Sequence, residues 1–596
     1  MKPHIYSRYA LWFCWLMMLT TALFFYPRWK NSGTEATLSW DVSGYYMYLP
    51  AAFIYHDLKT CSFRDSILHR YQPTPDFQQA VRHEGSGHFV MKYSCGQALV
   101  MLPMFFTGHT WALLSDAYPA DGFSFPYQLC IGWGMLLFAC CGLFFLRKIL
   151  LNYFNDSSVA WTLLLVVLGS NYLNYTTVDQ AMTHNALFTL YTLVIWASIR
   201  FYQKQHWRTA FLLGFLCGLL TLIRPTEIIA VLIPLLWGID SIKQVKERVR
   251  LFISSWRMIF VFAMAFVIMV SIQVLYWKWV SGEWVVYSYG EQGFYWLRPH
   301  ITEYLFSFRC GWLLYAPLMG IPFFLIWVYA FKGPQRIPVT LLTVLAFYLV
   351  TAWDVWDYGG TAGRAMVQYY TLLAFPLCWL VEFGLRHPIS KALLSLFTAL
   401  FIYFNFWWTW QAHFGPVKVS EVSYEYYVRT LGRWSVPEYA EKWIENNYVY
   451  TGELRDSVEW YRNNFEKDSS EIVHHAEGAT WIELDASHPH SAEYRIPAPG
   501  KKRSRVRVQA RFAIQEKEWD LWKQTQFILK FYFRGQEQVS QILRVHRFLN
   551  PGDEKFIFMD AKCPEQWDEL RISFWNAGSL IPVRIDDLTV TGFEEK

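Results

Sequence analysis

Several things are scarce in this chain, and each scarcity excludes something. Charge is sparse: 17% of 596 residues are charged and the formal net charge is only +5, which gives no case for a nucleic-acid partner. Cysteine is present ten times but never as CxxC and never at a Cys/His spacing that suits a metal, so no structural zinc is expected. No internal repeat and no low-complexity segment occurs. After the first apolar run, Tyr9 to Tyr26, no small-residue cleavage site follows, because Tyr26-Pro27-Arg28-Trp29 is bulky; that run reads as a retained span behind Lys2 and Arg8.

What is abundant is apolar and aromatic: 54% hydrophobic and 19% Phe, Trp or Tyr, gathered in runs longer than a soluble core helix needs. Ten further runs lie near 127–146, 159–173, 186–199, 210–223, 228–239, 259–276, 312–331, 339–352, 366–385 and 392–410. Short basic connections (Arg147-Lys148, Arg200 to Arg208, Lys243 to Arg257, Lys332 to Arg336, Arg386 to Lys391) alternate with aromatic, glycine-bearing ones. Short basic loops mark the cytoplasmic side, so the pattern predicts about eleven transmembrane helices with the N-terminus cytoplasmic. Gly96 to Leu114 is apolar enough to cross, yet a crossing there would put every later basic loop outside. It is therefore expected to be a re-entrant or surface helix on the outer side. Thr209 to Asp240 is too long for one crossing and should break at Arg224-Pro225, because proline disfavours helix at the residue before it.

The expected division is a membrane domain over 1–411, whose outer loop 27–125 carries surface helices; a mixed helical linker over 412–478; and a β domain over 479–596. From about Thr480, eight alternating runs from WIELDA to PVRIDDLTVTGF predict an extracytoplasmic all-β sandwich, preferably jelly-roll-like. Cys61 and Cys95 share the first outer loop; a disulfide and two free thiols both remain open.

On the predicted outer face, WDVSGYYMYLPAAFIYHD (Trp40 to Asp57) sets Asp41 among tyrosines that include Tyr45 and Tyr46. An acid held among such rings is a candidate catalytic base; the structural alternative is an interfacial helix with Asp41 as its N-cap. The same face holds Lys92, Asp179 and His184 (VDQAMTHN), Arg224 (IRPTE), Glu291, Arg298 and Arg309, then Asp354, Asp357 and Arg364 (WDVWDYGGTAGR). Cations at membrane depth usually face a cavity or a partner, and several facing one cavity suit a phosphate. Asp354 and Asp357 lack a third ligand for a metal.

The order of these parts resembles the GT-C superfamily of integral membrane glycosyltransferases, in particular the protein O-mannosyltransferase and lipid A aminoarabinose transferase group. The resemblance covers about residues 8–410 and rests on Asp41 with Tyr45 four residues on, on Lys92 in MKYSCGQALVMLP, and on the RPT, SFRCGWLLYAP and GGTAGR stretches. Two positions depart from the family's pattern: Val42 replaces the partner acid, and Tyr93-Ser94 replace a proline pair. The resemblance implies an inverting glycosyltransferase that moves a sugar from a polyprenyl-phosphate donor to a glycan, lipid or protein acceptor. Asp41 would be the general base. Lys92, Arg224, Arg309 and Arg364 would bind the donor phosphate, with Tyr45, Tyr46, Asp179, His184 and Glu291 lining the substrate. No cofactor is expected, a divalent metal being possible but unsupported by the residues; the resemblance implies a bacterial inner membrane with the site and the β domain on the extracytoplasmic side. The rivals are a lipid-linked glycan flippase, which needs polar residues through the depth of several spans, and a membrane-anchored glycan-binding protein.

Overall fold

The computed structural model describes residues 4–74, 79–290, 292–357, 363–415, 422–435, 443–444, 449–450, 452–466, 472–476, 479–518 and 523–595. The chain forms two compact units, Met1–Phe414 and Gly415–Lys596.

The first unit is helical. Each of the eleven expected apolar runs falls on helix. Five helical stretches are long and apolar enough to cross a membrane: Ile5–Lys30, Phe125–Leu150, Trp256–Ser281, Arg364–Gly384 and Pro388–Phe414. Five shorter apolar helices accompany them, so this unit is an integral membrane domain. The break at Arg224-Pro225 is present: an α-helix ends at Ile223, and a 3-10 segment, Pro225–Val231, leads into Leu232–Leu236. The stretch 243–257, expected as a basic connection, is instead mostly a 13-residue helix, Ile242–Ser254, whose N-cap Ser241 accepts from the Gln244 amide.

Polar contacts tie the basic connections together at one end of the bundle. The Tyr6 amide donates to Asp156 Oδ2 at 2.8 Å, and Arg147 donates to Ser7 Oγ at 2.8 Å. Trp237 Nε1 donates to Tyr153 OH at 3.1 Å, Gly238 N to Gln335 Oε1 at 2.7 Å, and Ser255 Oγ to Gln205 Oε1 at 2.9 Å. By helix direction, the C-terminus of Ile5–Phe24 and the N-terminus of Phe125–Leu150 then lie at the other end. The helix Gly96–Leu113 has both ends there. Gly96 packs so tightly on the end of Trp207–Ile223 that a Cβ would stand 2.4 Å from Ile223 N, and His109 Nδ1 lies 2.5 Å from Tyr127 OH.

Before that helix comes a small hairpin, β1 (Ala80–Arg82) and β2 (Phe89–Met91). The second unit carries β3 (Arg455–Asn463), β4 (Val473–Ala476), β5 (Ala479–Leu484), β6 (Tyr494–Pro497), β7 (Arg505–Ile514), β8 (Gln526–Phe533), β9 (Gln536–Arg544), β10 (Glu554–Lys562), β11 (Glu569–Trp575) and β12 (Val583–Glu594). One antiparallel sheet runs β10-β7-β12-β5-β4, with β3 also on β12; the other runs β6-β11-β8-β9. Residues from both sheets, Phe512, Phe527, Ile572 and Ile585 among them, fill one core, as the alternation predicts. Two strands start earlier than expected: β3 and β4 lie within 412–478, so that segment is not only a helical linker.

Candidate functional site

The chain turns sharply just before Asp41. Trp40 takes φ 49°, a left-handed conformation that costs a bulky residue roughly 1–3 kcal/mol and persists only where its surroundings impose it. Its amide donates to Pro73 O at 3.0 Å. Ser39 is the N-cap of the short helix Trp40–Tyr46, and Asp41 sits in the first turn, so the structural alternative of an N-capping Asp41 does not hold.

The Asp41 side chain is 30% exposed and held from two sides. Tyr93 OH donates to Oδ1 at 2.8 Å and Arg364 Nη2 donates to Oδ2 at 3.0 Å. Burial among these groups pushes the carboxyl up. The Arg364 guanidinium, the Tyr93 hydrogen bond and the charges of Lys92 and Arg224 outweigh it, and the carboxyl ends below the usual carboxylate range. Tyr93 is driven the other way: burial and the facing Asp41 charge raise its phenol well above the usual value, so it stays a donor.

The hairpin places Lys92 and Tyr93. It is pinned to the Asp41 helix because Gln79 Nε2 donates to Ser43 Oγ at 2.7 Å, while Lys92 N donates to Gln79 O at 2.9 Å. Gly44 leaves room for the Tyr93 ring; a Cβ there would come within 2.7 Å of it. The Tyr45 ring packs on Tyr93 at 4.3 Å between centroids. Lys92 Nζ stands 5.6 Å over the Tyr93 ring.

Arg224 arrives at the helix break. It donates to Thr183 Oγ1 at 2.7 Å, lies 3.5 Å from His184 Nε2, and also acts on the Tyr45 hydroxyl. His184 is fully enclosed, and its Nδ1 is 2.8 Å from Gln368 Oε1. Gln368 passes the contact on to Glu227 Oε1 at 3.1 Å, and Tyr369 and Tyr191 donate to the same buried carboxylate at 2.9 and 2.5 Å. Because Arg364 and Gln368 share the 3-10 segment Arg364–Tyr369, one short element carries both the Asp41 partner and the His184 partner.

Of the residues singled out from sequence, Asp41, Tyr45, Lys92, His184, Arg224 and Arg364 come together here. Others go elsewhere. Tyr46 is fully buried and donates to Gly122 O at 2.6 Å, a packing role. Asp179 pairs with Arg28 at 3.0 Å and accepts from Asn174 at 2.8 Å. Arg309, 51% exposed, pairs with Asp357 at 3.1 Å. Glu291 lies outside the described residues, as do 358–362 of the WDVWDYGGTAGR stretch. Cys61 and Cys95 are free and buried. Among the described residues no group of three His, Cys, Asp or Glu side chains is placed to hold a metal ion.

Sequence reasoning missed three participants. Tyr93 was visible only as a departure from the family's pattern, yet it donates to Asp41. Gln368 gave no signal. Glu227 did give one, since a carboxylate inside an apolar run needs partners; its nearness in sequence suggests Arg224, whereas the structure gives it Gln368, Tyr369 and Tyr191.

No family model matches the chain, and no curated protein does. Solved structures do. The oligosaccharyltransferase of Archaeoglobus fulgidus is similar over 76% of this chain and 62% of its own, at 9% identity and TM-score 0.41. ArnT from Cupriavidus metallidurans is similar over 65% and 67%, at 12% identity and TM-score 0.33. The arabinosyltransferase EmbB from Mycobacterium smegmatis is similar over 97% and 64%, at 11% identity and TM-score 0.31. A family 16 carbohydrate-binding module matches 19% of the chain, at 13% identity and TM-score 0.14. This chain spans about two thirds of the length of each of the three larger neighbours.

Proposed function

We propose that this protein is a glycosyltransferase that takes a sugar from a polyprenyl-phosphate donor and passes it to an acceptor hydroxyl at the outer face of a membrane. The observation that carries the reading is the setting of Asp41: a partly exposed carboxylate between a phenol and a guanidinium, within reach of two more cations.

The charges support the donor class. Lys92, Arg224 and Arg364 bring three positive charges against the one negative charge of Asp41. The surplus of positive charge suits an anionic donor such as a sugar phosphodiester. Arg309 is engaged with Asp357 and stands outside this sum. In the reaction, an acceptor O–H gives its proton to Asp41 and its oxygen attacks the anomeric carbon with inversion. The bond from that carbon to the phosphate oxygen breaks, and its electron pair stays on the lipid phosphate. That group gains one negative charge as Asp41 loses one, so the balance holds through the step. The three cations stabilise the departing phosphate.

A carboxylate paired with arginine is a weak base. The donor's phosphate competes for Arg364, and once Arg364 turns to it the carboxylate regains basicity. The base thus strengthens only when donor is bound. Tyr45 and His184 are themselves buried and back the site: Tyr45 packs on Tyr93, and His184 stands beside Arg224. The membrane is the bacterial inner membrane, with the basic end cytoplasmic and the site extracytoplasmic, where a lipid-phosphate donor replaces a nucleotide sugar. The β domain serves as an acceptor-docking module.

Mass spectrometry of lipid-linked sugars in membranes with and without the protein tests the reading. A polyprenyl-phosphate sugar should accumulate when the protein is absent; an unchanged lipid-linked pool would overturn it.

A further inference from the structure

The helix Ile242–Ser254, IKQVKERVRLFIS, is held to the bundle by one face only. Arg248 reaches the carbonyls that end Leu232–Leu236, donating to Leu235 O at 3.1 Å and Trp237 O at 2.6 Å, and stacks on Tyr202 at 3.7 Å. Gln244 accepts from Asp240 N at 2.6 Å. The remaining surface is open and of two kinds. Val245, Val249 and Ile253, spaced four apart and so on one stripe, are 44%, 51% and 71% exposed. Beside them Lys243, Lys246 and Arg250 are exposed as well.

We propose that this helix lies in the headgroup region of the bilayer and binds anionic phospholipid. Three observations choose the lipid over a protein partner. The apolar stripe runs on into the next helix, Trp256–Ser281, which is long and apolar enough to cross a membrane and leaves Trp256, Phe260 and Val267 exposed. The charge is one-sided: from Ile242 to Arg257 there are five basic side chains and a single acid, Glu247. And the helix stands at the bundle end where the other basic connections are tied together, Ser255 meeting Gln205 at 2.9 Å. An apolar stripe bordered by lysine and arginine at that depth inserts its side chains among acyl chains and sets its cations against phosphates.

The test uses the full-length protein in nanodiscs of phosphatidylcholine alone and of equal parts phosphatidylcholine and phosphatidylglycerol, with hydrogen exchange measured over 242–254. Exchange should be slower by at least about fivefold in the anionic discs, the equivalent of the about 1 kcal/mol that a single basic residue gains near an anionic surface. The difference should shrink at high salt and vanish in the combined variant Lys243→Gln, Lys246→Gln, Arg250→Gln. Equal exchange of the wild-type protein in the two lipids overturns the proposal. So does protection that requires two protein copies in one disc and ignores the lipid, since that would mean the stripe binds a second chain.

Discussion

Two aspartate–arginine pairs in this protein have the same chemistry and opposite settings. In the β unit, Asp560 is fully buried; Arg507 grips it with two bonds, Nε to Oδ1 at 2.7 Å and Nη2 to Oδ2 at 2.9 Å, and Tyr450 N supplies a third donor at 2.8 Å. Arg507 also stacks on Phe558 at 3.8 Å. In the membrane unit, Asp41 is 30% exposed, takes one guanidinium bond and one phenol, and sits in a surplus of positive charge. The first pair is closed: its charges balance and no approach for a reactant is left. The second is open and unbalanced. A closed pair holds a fold together, whereas an open pair with spare cations is built for a third, anionic party.

The sharpest way to break that contrast is Asp41→Asn. The change keeps size and hydrogen bonding but removes the base, so turnover should fall by roughly 10²–10⁴-fold. Donor retention should hold or tighten, because Lys92, Arg224 and Arg364 remain and Arg364 no longer has a carboxylate to leave. Thermal stability should hold too. Near-wild-type transfer by the purified, donor-saturated variant would move the search to Asp354 and Asp357. Asp560→Ala should do the reverse. Removing the fully buried carboxylate leaves Arg507 and the Tyr450 amide without their acceptor and should cost about 1–3 kcal/mol, read as a lower melting point of the β unit. If the two variants lose activity and stability to the same degree, the distinction between open and closed pairs fails.

A second closed group sharpens the β side through pH. His546 is fully buried, and burial with the nearby Lys517 charge pushes its imidazole down to about 4. The folded unit therefore holds it neutral while the unfolded chain takes a proton below about 6.5. The sign follows: its contribution is intact above about 6.5 and is lost as pH falls toward about 4, by about 3 kcal/mol in all. Denaturant melts of the β unit at pH 7.5 and pH 4.5 should show the loss, and His546→Gln should flatten it; a slope unaffected by that change would assign the acid sensitivity to other groups.

How much of this was legible differs between the units for a physical reason. A strand such as β7 announces itself, because Val506, Val508, Ala510, Phe512 and Ile514 are buried and every intervening residue is not. β3 does not: its first five residues, Arg455 to Glu459, are all exposed, so no alternation marks it. The break at Arg224-Pro225 was readable because proline acts locally. The Asp41–Arg364 pair was not, since its members are 323 positions apart and only the fold brings them together. Tyr93 shows the same limit from the other side, being a departure in the motif and a partner in the structure.

The smallest and most discriminating change is therefore Tyr93→Phe. The ring still fills the space beside Gly44 and packs on Tyr45, so folding should be nearly unaffected. What goes is one hydrogen bond to an ionised carboxylate, worth about 1.5–3 kcal/mol to the charged form. Because that bond stabilises the ionised state, its loss raises the Asp41 carboxyl toward the usual range. The acidic limb of the turnover–pH profile should move upward by about one to two units, while turnover on the plateau changes only a few-fold, since a stronger base offsets poorer positioning. Arg364 stays in place, so the donor's KM should hold. An unmoved limb would mean that the group titrating in the rate is not Asp41, even if Asp41→Asn is inactive, and this makes Tyr93→Phe the test that separates a base from a residue that merely has to be present.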